Sequence, residues 1–569
     1  MVFTVYSARV SVLTSDILHV DTQGVTPRGD NATRAHIAFK YHKAEGALPL
    51  PYHRCTTRME PFVVIIPLSL VFLWFIKLLV EHHSYCTTRL PYPPGPKTKP
   101  FIGNLLDLPF TPAKMKEWSK KYNTPIIYLE VLGTRMIVVN RRKEAEDLFE
   151  SPTRAKVYAD RPYFPVVPLM DCEYNVSIMP YGEGWRQHRK ICQNYFNRHA
   201  AQEYEPVQTA KIQQLLRGLL EKPEEFEKHN KMFSVSLTMA MMFGYDVKSL
   251  DDPCISAADR ALTIGARVNG PGGSIINVIP AFRYIPKWFP GAPSWKQIDE
   301  VRKLTAEMKR IPMEFVKASF DNGTVTPSLV TNFYERKYTI GASIEEEEII
   351  KNVAYTVYGA ASDTTISSTG TFFYAMVANP DVQRKAHHEI DQVIGSKRLP
   401  TLADRDSLPY IEAIYREVMR LNQPIPFSVP HCLSEDDHYQ GYFIHKGTLV
   451  FPNLWAMAHD EEVYPEPFAF KPERFFDQEG SLNTNDRVLA YGFGRRACVG
   501  KHVASSTMWL LIASVLACYE IVQAKDENGN DIEIDHGFEE EGLLSHKRKF
   551  DCSFVVRSIA AQKLIDETN

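Results

Sequence analysis

The chain has 569 residues, 44% hydrophobic and 23% charged, with a formal net charge of −3. That is a globular composition long enough for a large buried core, and the near-neutral balance gives no electrostatic footprint for nucleic acid. Nine cysteines are scattered without a CxxC pair or a regular spacing, unlike a secreted disulfide scaffold, so a reduced compartment is expected for the main body.

Residues 1–58 show neither strong periodicity nor a signal-peptide pattern. Met59 stands directly before an apolar run, so the native start is expected at Met59, with residues 1–58 as an extension. Asn31-Ala32-Thr33 is a glycosylation sequon, which matters only if this end is lumenal. Pro61–Val80 is 20 residues with a single charge, Lys77. A helix of that length spans about 30 Å, the thickness of a bilayer core. Lys77 lies in its last turn and can snorkel to the interface. Residues 59–80 therefore read as a transmembrane anchor, the alternative being a buried core helix. The flanking charges do not decide its orientation. Residues 81–104 include Leu90-Pro-Tyr-Pro-Pro-Gly-Pro-Lys97, a stiff proline-rich hinge.

Strand-like runs follow at Ile126–Leu132 and Met136–Asn140, and the middle of the chain is helical by pattern. No repeat or low-complexity tract interrupts it, so 105–569 reads as one catalytic body. Three helices carry signals. The first starts at Ser343, where Ser343 and Glu346 form a capping-box pattern, and runs to about Ala378. The second starts at Asn379-Pro380 and ends before Gly395. The third begins near Pro409 and carries Glu417 and Arg420 on one face.

The window Tyr491-Gly-Phe-Gly-Arg-Arg-Ala-Cys-Val-Gly500 is the most informative stretch. Gly492, Gly494 and Gly500 let the backbone turn tightly and approach a flat ligand. Neighbouring cations and a helix starting just after the loop favour an ionised Cys498, and a metal on the sulfur would complete its deprotonation. Alone, the window also fits a surface turn around a core cysteine. It resembles the haem loop of cytochrome P-450 enzymes, Phe-Gly-x-Gly-x-Arg-x-Cys-x-Gly. Gly492, Gly494, Arg496, Cys498 and Gly500 match, and Tyr491 replaces the usual Phe. That tyrosine adds a hydroxyl that needs a partner if buried.

The resemblance extends from Leu90 to the C-terminus. Glu417-x-x-Arg420, Pro472-Glu-Arg-Phe475 and the loop follow in the family's order, which implies that Glu417, Arg420 and Arg474 form a buried ionic network. It implies Cys498 as the iron ligand. It also implies Trp185, Arg189, His431 and Arg496 as partners of the haem propionates, which need cationic or N–H donors. For each of these, an ordinary helix-surface role is the alternative. Ala360-Ala-Ser-Asp-Thr-Thr365 resembles the oxygen-activation motif, with Asp363 and Thr364 as a proton relay and Ala361 in place of the usual Gly. A helical Thr can instead bond its own i−4 carbonyl, and an Asp can face solvent. Pocket-lining positions map to Tyr163–Met179, Val357–Ala361, Ile425–Val429 and Gly542–Ser545. These are mostly apolar, which implies a lipophilic substrate.

The resemblance thus implies a mainly α fold with a small β region, the cytochrome P-450 fold, preceded by one N-terminal transmembrane helix. The expected setting is the endoplasmic reticulum membrane, single-pass, with the catalytic domain on the cytosolic face. Haem b is the implied cofactor and an NADPH-cytochrome P-450 reductase the implied partner, docking on Arg186, Lys190, Arg495 and Lys501. The chain has no G-x-G-x-x-G after a strand, so it is expected to bind no nicotinamide or flavin itself. The implied reaction is insertion of one oxygen atom from O2 into a lipophilic small molecule. The segment Ile279–Gly291 looks like fungal members of the group that includes O-methylsterigmatocystin oxidoreductase, which suggests secondary metabolism. Two alternatives remain at this point: a thiolate-haem isomerase or dehydratase acting on peroxides, and a non-enzymatic haem sensor.

Overall fold

The structure, a computed structural model, describes residues 69, 72, 73, 75, 76, 90–269, 273–285, 287, 294–483 and 487–567. The extension 1–58 with Asn31, the expected start at Met59, most of the anchor 59–80 and the hinge up to residue 89 lie outside the described residues. The five described positions of the apolar run are helical, and Phe72, Leu73 and Ile76 are exposed. Among the described residues, one helix is long and apolar enough to cross a membrane, Lys501–Cys518. It is 72% buried inside the protein, as a core helix is.

Seven helices frame the site: α1 Glu183–Phe196, α2 Phe226–Phe243, α3 Pro253–Asn269, α4 Ser294–Asp321, α5 Ile344–Ala378, α6 Pro409–Leu421 and α7 Lys501–Cys518. The 35-residue α5 is the axis of the fold. It starts where Ser343 Oγ accepts the Glu346 N–H at 3.0 Å, the expected cap. Its C-terminal half is largely buried, hydroxyls of Ser362, Ser367, Ser368, Thr369 and Thr371 included, because other elements cover it on several sides. Among these is α2, whose Ser234 hydroxyl donates to the Ser362 carbonyl at 2.7 Å and whose Asn230 amide donates to the Ile366 carbonyl at 3.1 Å. The next helix spans Pro380–Val393, and Gly395 follows with φ +72°. These boundaries agree with the sequence reading.

A small mixed sheet packs its Ile127, Leu129 and Val138 against Met115 and Trp118 of the helix Pro112–Lys121. It consists of β1 Ile126–Val131, β2 Thr134–Val139, β3 His431–Cys432 and β4 Leu449–Pro452, in the order β1-β2-β4-β3. The second strand starts two residues earlier than its alternation suggests. Leu132 (φ +50°) and Gly133 (φ +81°) make a two-residue turn with both residues left-handed, so pairing resumes at once from Val131 to Thr134. The β2–β4 pair is parallel and β3–β4 antiparallel, which carries His431 in from the far end of the chain. A separate hairpin, β5 Phe538–Glu541 and β6 Leu544–Lys547, turns at Gly542-Leu543.

Two hydrophobic cores meet near the cysteine loop. The larger one, built around Trp509, Phe372 and Phe373, includes Trp185, with Tyr491 and Val499 packed on it. The sheet-side core holds Phe149, Tyr158, Leu489 and Phe493. The loop thus stands between two apolar bodies, with Phe493 its buried anchor.

Candidate functional site

The loop closes on itself through the Cys498 N–H, which donates to the Tyr491 carbonyl at 2.9 Å. Gly492 (φ +70°) and Gly494 (φ +59°) are left-handed. Gly494 admits no side chain at all, since a Cβ there would lie 2.0 Å from the Phe149 carbonyl oxygen. Gly500 differs: a Cβ there would meet nothing within 4 Å, so open space lies beside it, just before α7 begins at Lys501.

Cys498 is exposed, yet it is surrounded by enough protein that burial pushes its thiol pKa up. Both statements hold when the sulfur opens onto an interior hollow. The Gly500 N–H, Arg189 and Lys501 pull the other way and do not win. The cations favour the thiolate, as expected, but do not outweigh its loss of water. Desolvation of a thiolate outweighs partly screened cations, so deprotonation is left to a bound metal.

Around the loop stands a cluster of buried and half-buried basic side chains. The Arg496 guanidinium lies 4.3 Å from the Trp185 ring centroid and donates to the Ala159 and Met179 carbonyls, both at 2.7 Å. Burial, and to a lesser extent Arg189, lowers its pKa to about 10. Arg189 lies one turn on from Trp185 along α1, and its Nε is buried without a partner. His431 is buried, hydrogen-bonded through Nδ1 to the Tyr158 carbonyl at 2.8 Å, and held well below its ordinary pKa by burial and by Arg161. The structure therefore brings Trp185, Arg189, His431 and Arg496 to one place, with Cys498.

Arg161 joins them, and the sequence reading missed it. It is buried and donates to the carbonyls of Ser177 (2.8 Å), Val429 (2.7 Å) and Pro430 (2.9 Å). Burial, then Arg496, depress its pKa. An arginine between Asp160 and Pro162 carries no local signal, and only its tertiary neighbours distinguish it. Asp160 is the acid beside the cluster, and its carboxylate is taken up by the backbone N–H groups of Arg161 and Tyr181. Among the described residues, Arg161, Arg189 and Arg496 make no ion pair. Three guanidiniums, one orphaned N–H and open space beside Gly500 fit a flat ligand bearing two carboxylates, which haem is.

Ala360 is exposed at the middle of α5 although Tyr358 and Ser362 on either side are buried. Thr364 donates to the Ala360 carbonyl at 2.9 Å, the local bond available to any helical threonine, and Asp363 is half-buried beside it. The helix runs unbroken through Ala361.

Beneath the loop, Glu417 is fully buried and takes Arg420 bidentately at 2.7 and 2.9 Å. It also accepts from Arg474 Nε at 3.2 Å and from the Lys471 N–H at 2.8 Å. Arg420 passes its remaining N–H groups to the Ala458 and Pro467 carbonyls. This is the ionic network that the motif order implied. The hydroxyl of Tyr491 finds its partner in Tyr415 at 2.9 Å, on the helix that bears Glu417, so the departure from Phe is structurally satisfied.

Arg186, Lys190, Arg495 and Lys501 are all exposed, and Arg186 and Arg495 both contact Tyr181.

Comparison with known proteins follows the same line. A family model described as cytochrome P-450 matches residues 93–554. The chain is 34% identical over 509 residues to a cytochrome P-450 monooxygenase of Armillaria gallica, covering 89% of this chain and 98% of the relative. It is 35% identical over 486 residues to one of Coprinopsis cinerea (84% and 91%) and 36% identical over 488 residues to one of Ampulloclitocybe clavipes (85% and 89%).

Proposed function

Since this chain belongs to the cytochrome P-450 family and is a haem-dependent monooxygenase, we propose that Cys498 is its iron ligand and that it hydroxylates a lipophilic fungal metabolite. The observation that carries this reading is the exposed Cys498 beside three buried or half-buried arginines, Arg161, Arg189 and Arg496, that make no ion pair among the described residues. Arg161, Arg189, His431, Arg496 and the Trp185 indole would hold the two propionates. Gly492, Gly494 and Gly500 would let the loop backbone approach the ring, and Glu417, Arg420 and Arg474 would brace the loop.

Haem, when bound through a thiolate, supplies the oxygen chemistry. The chain's own contribution is orientation and protons. Thr364 presents a hydroxyl to the hollow at the exposed stretch of α5, and Asp363 is the carboxylate next to it. Together they hold and reload the protons that the departing oxygen atom needs to leave as water. One oxygen atom of O2 enters a C–H bond of the substrate and the other leaves as water, with two electrons from NADPH. A separate flavoprotein reductase delivers them, docking its acidic surface on Arg186, Lys190, Arg495 and Lys501. The domain assignment belongs to the same proposal: an extension 1–58, an anchor 59–80 in the endoplasmic reticulum membrane, a hinge 81–104 and a cytosolic haem domain 105–569. So does the narrower likeness to the O-methylsterigmatocystin oxidoreductase group.

The test is spectroscopic. Cys498→Ala and Cys498→His should abolish the red-shifted band of the reduced carbonyl complex, which needs a thiolate; survival of the band in Cys498→Ala refutes the assignment. Thr364→Val should keep haem content and ligand affinity. It should lower product formed per NADPH by roughly 10²-fold or more, the scale of lost general acid help, with hydrogen peroxide released instead. Tightly coupled product formation in that variant would leave Thr364 as a packing residue. Turnover of an organic peroxide without NADPH, indifferent to both Thr364→Val and Asp363→Asn, would favour an isomerase instead.

A further inference from the structure

The tip of the β5–β6 hairpin lies against α3. Gly542 is left-handed (φ +65°), and a Cβ on it would lie 3.6 Å from Ala266 of α3. The same helix places Leu262 3.7 Å from where a Cβ of Gly359 would stand on α5. Helix α3 therefore leans across both the hairpin tip and the middle of α5, next to the exposed Ala360. Leu543, at the tip, is 49% exposed. At its root the hairpin is pinned by Phe538 against the Tyr374 ring (5.8 Å).

Between root and tip stands Ser545, and every polar group it owns is engaged. Its N–H donates to the Pro424 carbonyl at 2.9 Å. Its carbonyl accepts from the Ser367 hydroxyl at 2.5 Å and from the Asn422 amide at 3.4 Å. Its hydroxyl donates to Asn422 Oδ1 at 2.8 Å. The Asn422 amide also reaches Thr371 Oγ1 at 3.1 Å and Ser367 Oγ at 3.4 Å. Ser367, Thr371, Asn422 and Ser545 are all at least 95% buried. This polar knot joins three segments distant in sequence: α5, the end of α6 and the hairpin.

We propose that Asn422, acting through Ser367 and Ser545, is a positioning residue that sets how far the Gly542-Leu543 tip projects into the substrate hollow. It thereby tunes selection by substrate length without touching substrate. In an apolar environment a satisfied amide is geometrically exacting, because each alternative position leaves a donor or acceptor unpaired. The knot therefore fixes one hairpin position, while among the described residues no side-chain hydrogen bond holds Gly542 or Leu543 at the tip. The inference rests on the haem-monooxygenase reading of the hollow and adds to it the element that sets its depth.

The test uses the haem-loaded full chain and two iron-binding probes read by the Soret shift. Imidazole is a single small ring and serves as the short probe; miconazole carries several rings and serves as the long one. Asn422→Ala should weaken miconazole by about three- to tenfold, the scale of one or two lost hydrogen bonds, and leave imidazole unchanged. Ser545→Ala, which keeps the backbone bonds, should give a smaller shift of the same kind and serves if Asn422→Ala does not fold. Leu543→Ala should weaken miconazole too, and adding Asn422→Ala to it should cost nothing further, since the clamp acts through the tip. Equal loss for both probes, or additive loss in the double variant, would make the knot a stability element and overturn the proposal. If imidazole gives no Soret shift in the unaltered protein, the haem reading itself fails, and the clamp with it.

Discussion

Two groups of buried and half-buried arginines lie close to the same loop and are built on opposite terms. Arg420 and Arg474 share the fully buried Glu417 and hand their remaining N–H groups to backbone carbonyls. Arg161, Arg189 and Arg496 have no carboxylate of their own, repel one another, and leave Arg189 Nε unmet. The first set is complete within the chain, the second is not. A buried charge without a partner costs far more than it can contribute, so folding tolerates the second set only through carbonyl bonds and lowered proton affinity. What it retains is unspent capacity to bind an anion. Completeness distinguishes the scaffold from the site here, where charge and burial alone do not.

Removing a partner from each set should separate them. Glu417→Ala strands two buried guanidiniums and should cost about 3–5 kcal/mol. The melting temperature should fall steeply with and without haem, or the protein should not accumulate. A melting temperature within a few degrees of the unaltered protein would mean the network is dispensable. Arg189→Met should do the reverse. In haem-free protein it removes an unsatisfied buried N–H, so thermal stability should stay level or rise. In loaded protein it should speed haem transfer to apomyoglobin by about tenfold, the scale of one charge-assisted hydrogen bond. A large stability loss in the haem-free variant would place Arg189 with the scaffold.

The smallest contrast is in acid, where each set has its own histidine. His459, near Arg420, is held down to about 3 by burial, and its ring bonds the Trp455 carbonyl at 2.8 Å. His431, beside Arg161, is also depressed. In the unfolded chain both titrate near pH 6.5. Below that pH the unfolded state binds more protons, so their contribution is complete above about 6.5 and is lost as pH falls toward the folded values, at up to roughly 1.4 kcal/mol per unit for each group. Denaturant midpoints between pH 7.5 and 5 should fall for haem-free protein. They should fall less once haem is bound, because propionates beside His431 would raise its folded pKa. Equal slopes in the two forms would remove His431 from the ligand-binding set.

Much of the scaffold was legible in the sequence, and part of the site. Ser343 and Pro380 mark helix starts because capping acts within one turn, and Gly395 marks an end because only glycine adopts the left-handed geometry without strain. Cys498 and its glycines are legible because the loop's conformation is local, and Trp185 with Arg189 because four residues make one helical turn. Arg161, the Tyr415–Tyr491 pair and the Ser367–Asn422–Ser545 knot have no such signature, because each joins segments that only packing brings together. The Cys498 thiol shows the difference most directly. Its neighbours in sequence are cations and a helix start, which argue for a thiolate, but desolvation by the surrounding fold raises its pKa instead. Local chemistry sets which groups are present; the tertiary structure decides how much water they keep, and so which charge they carry.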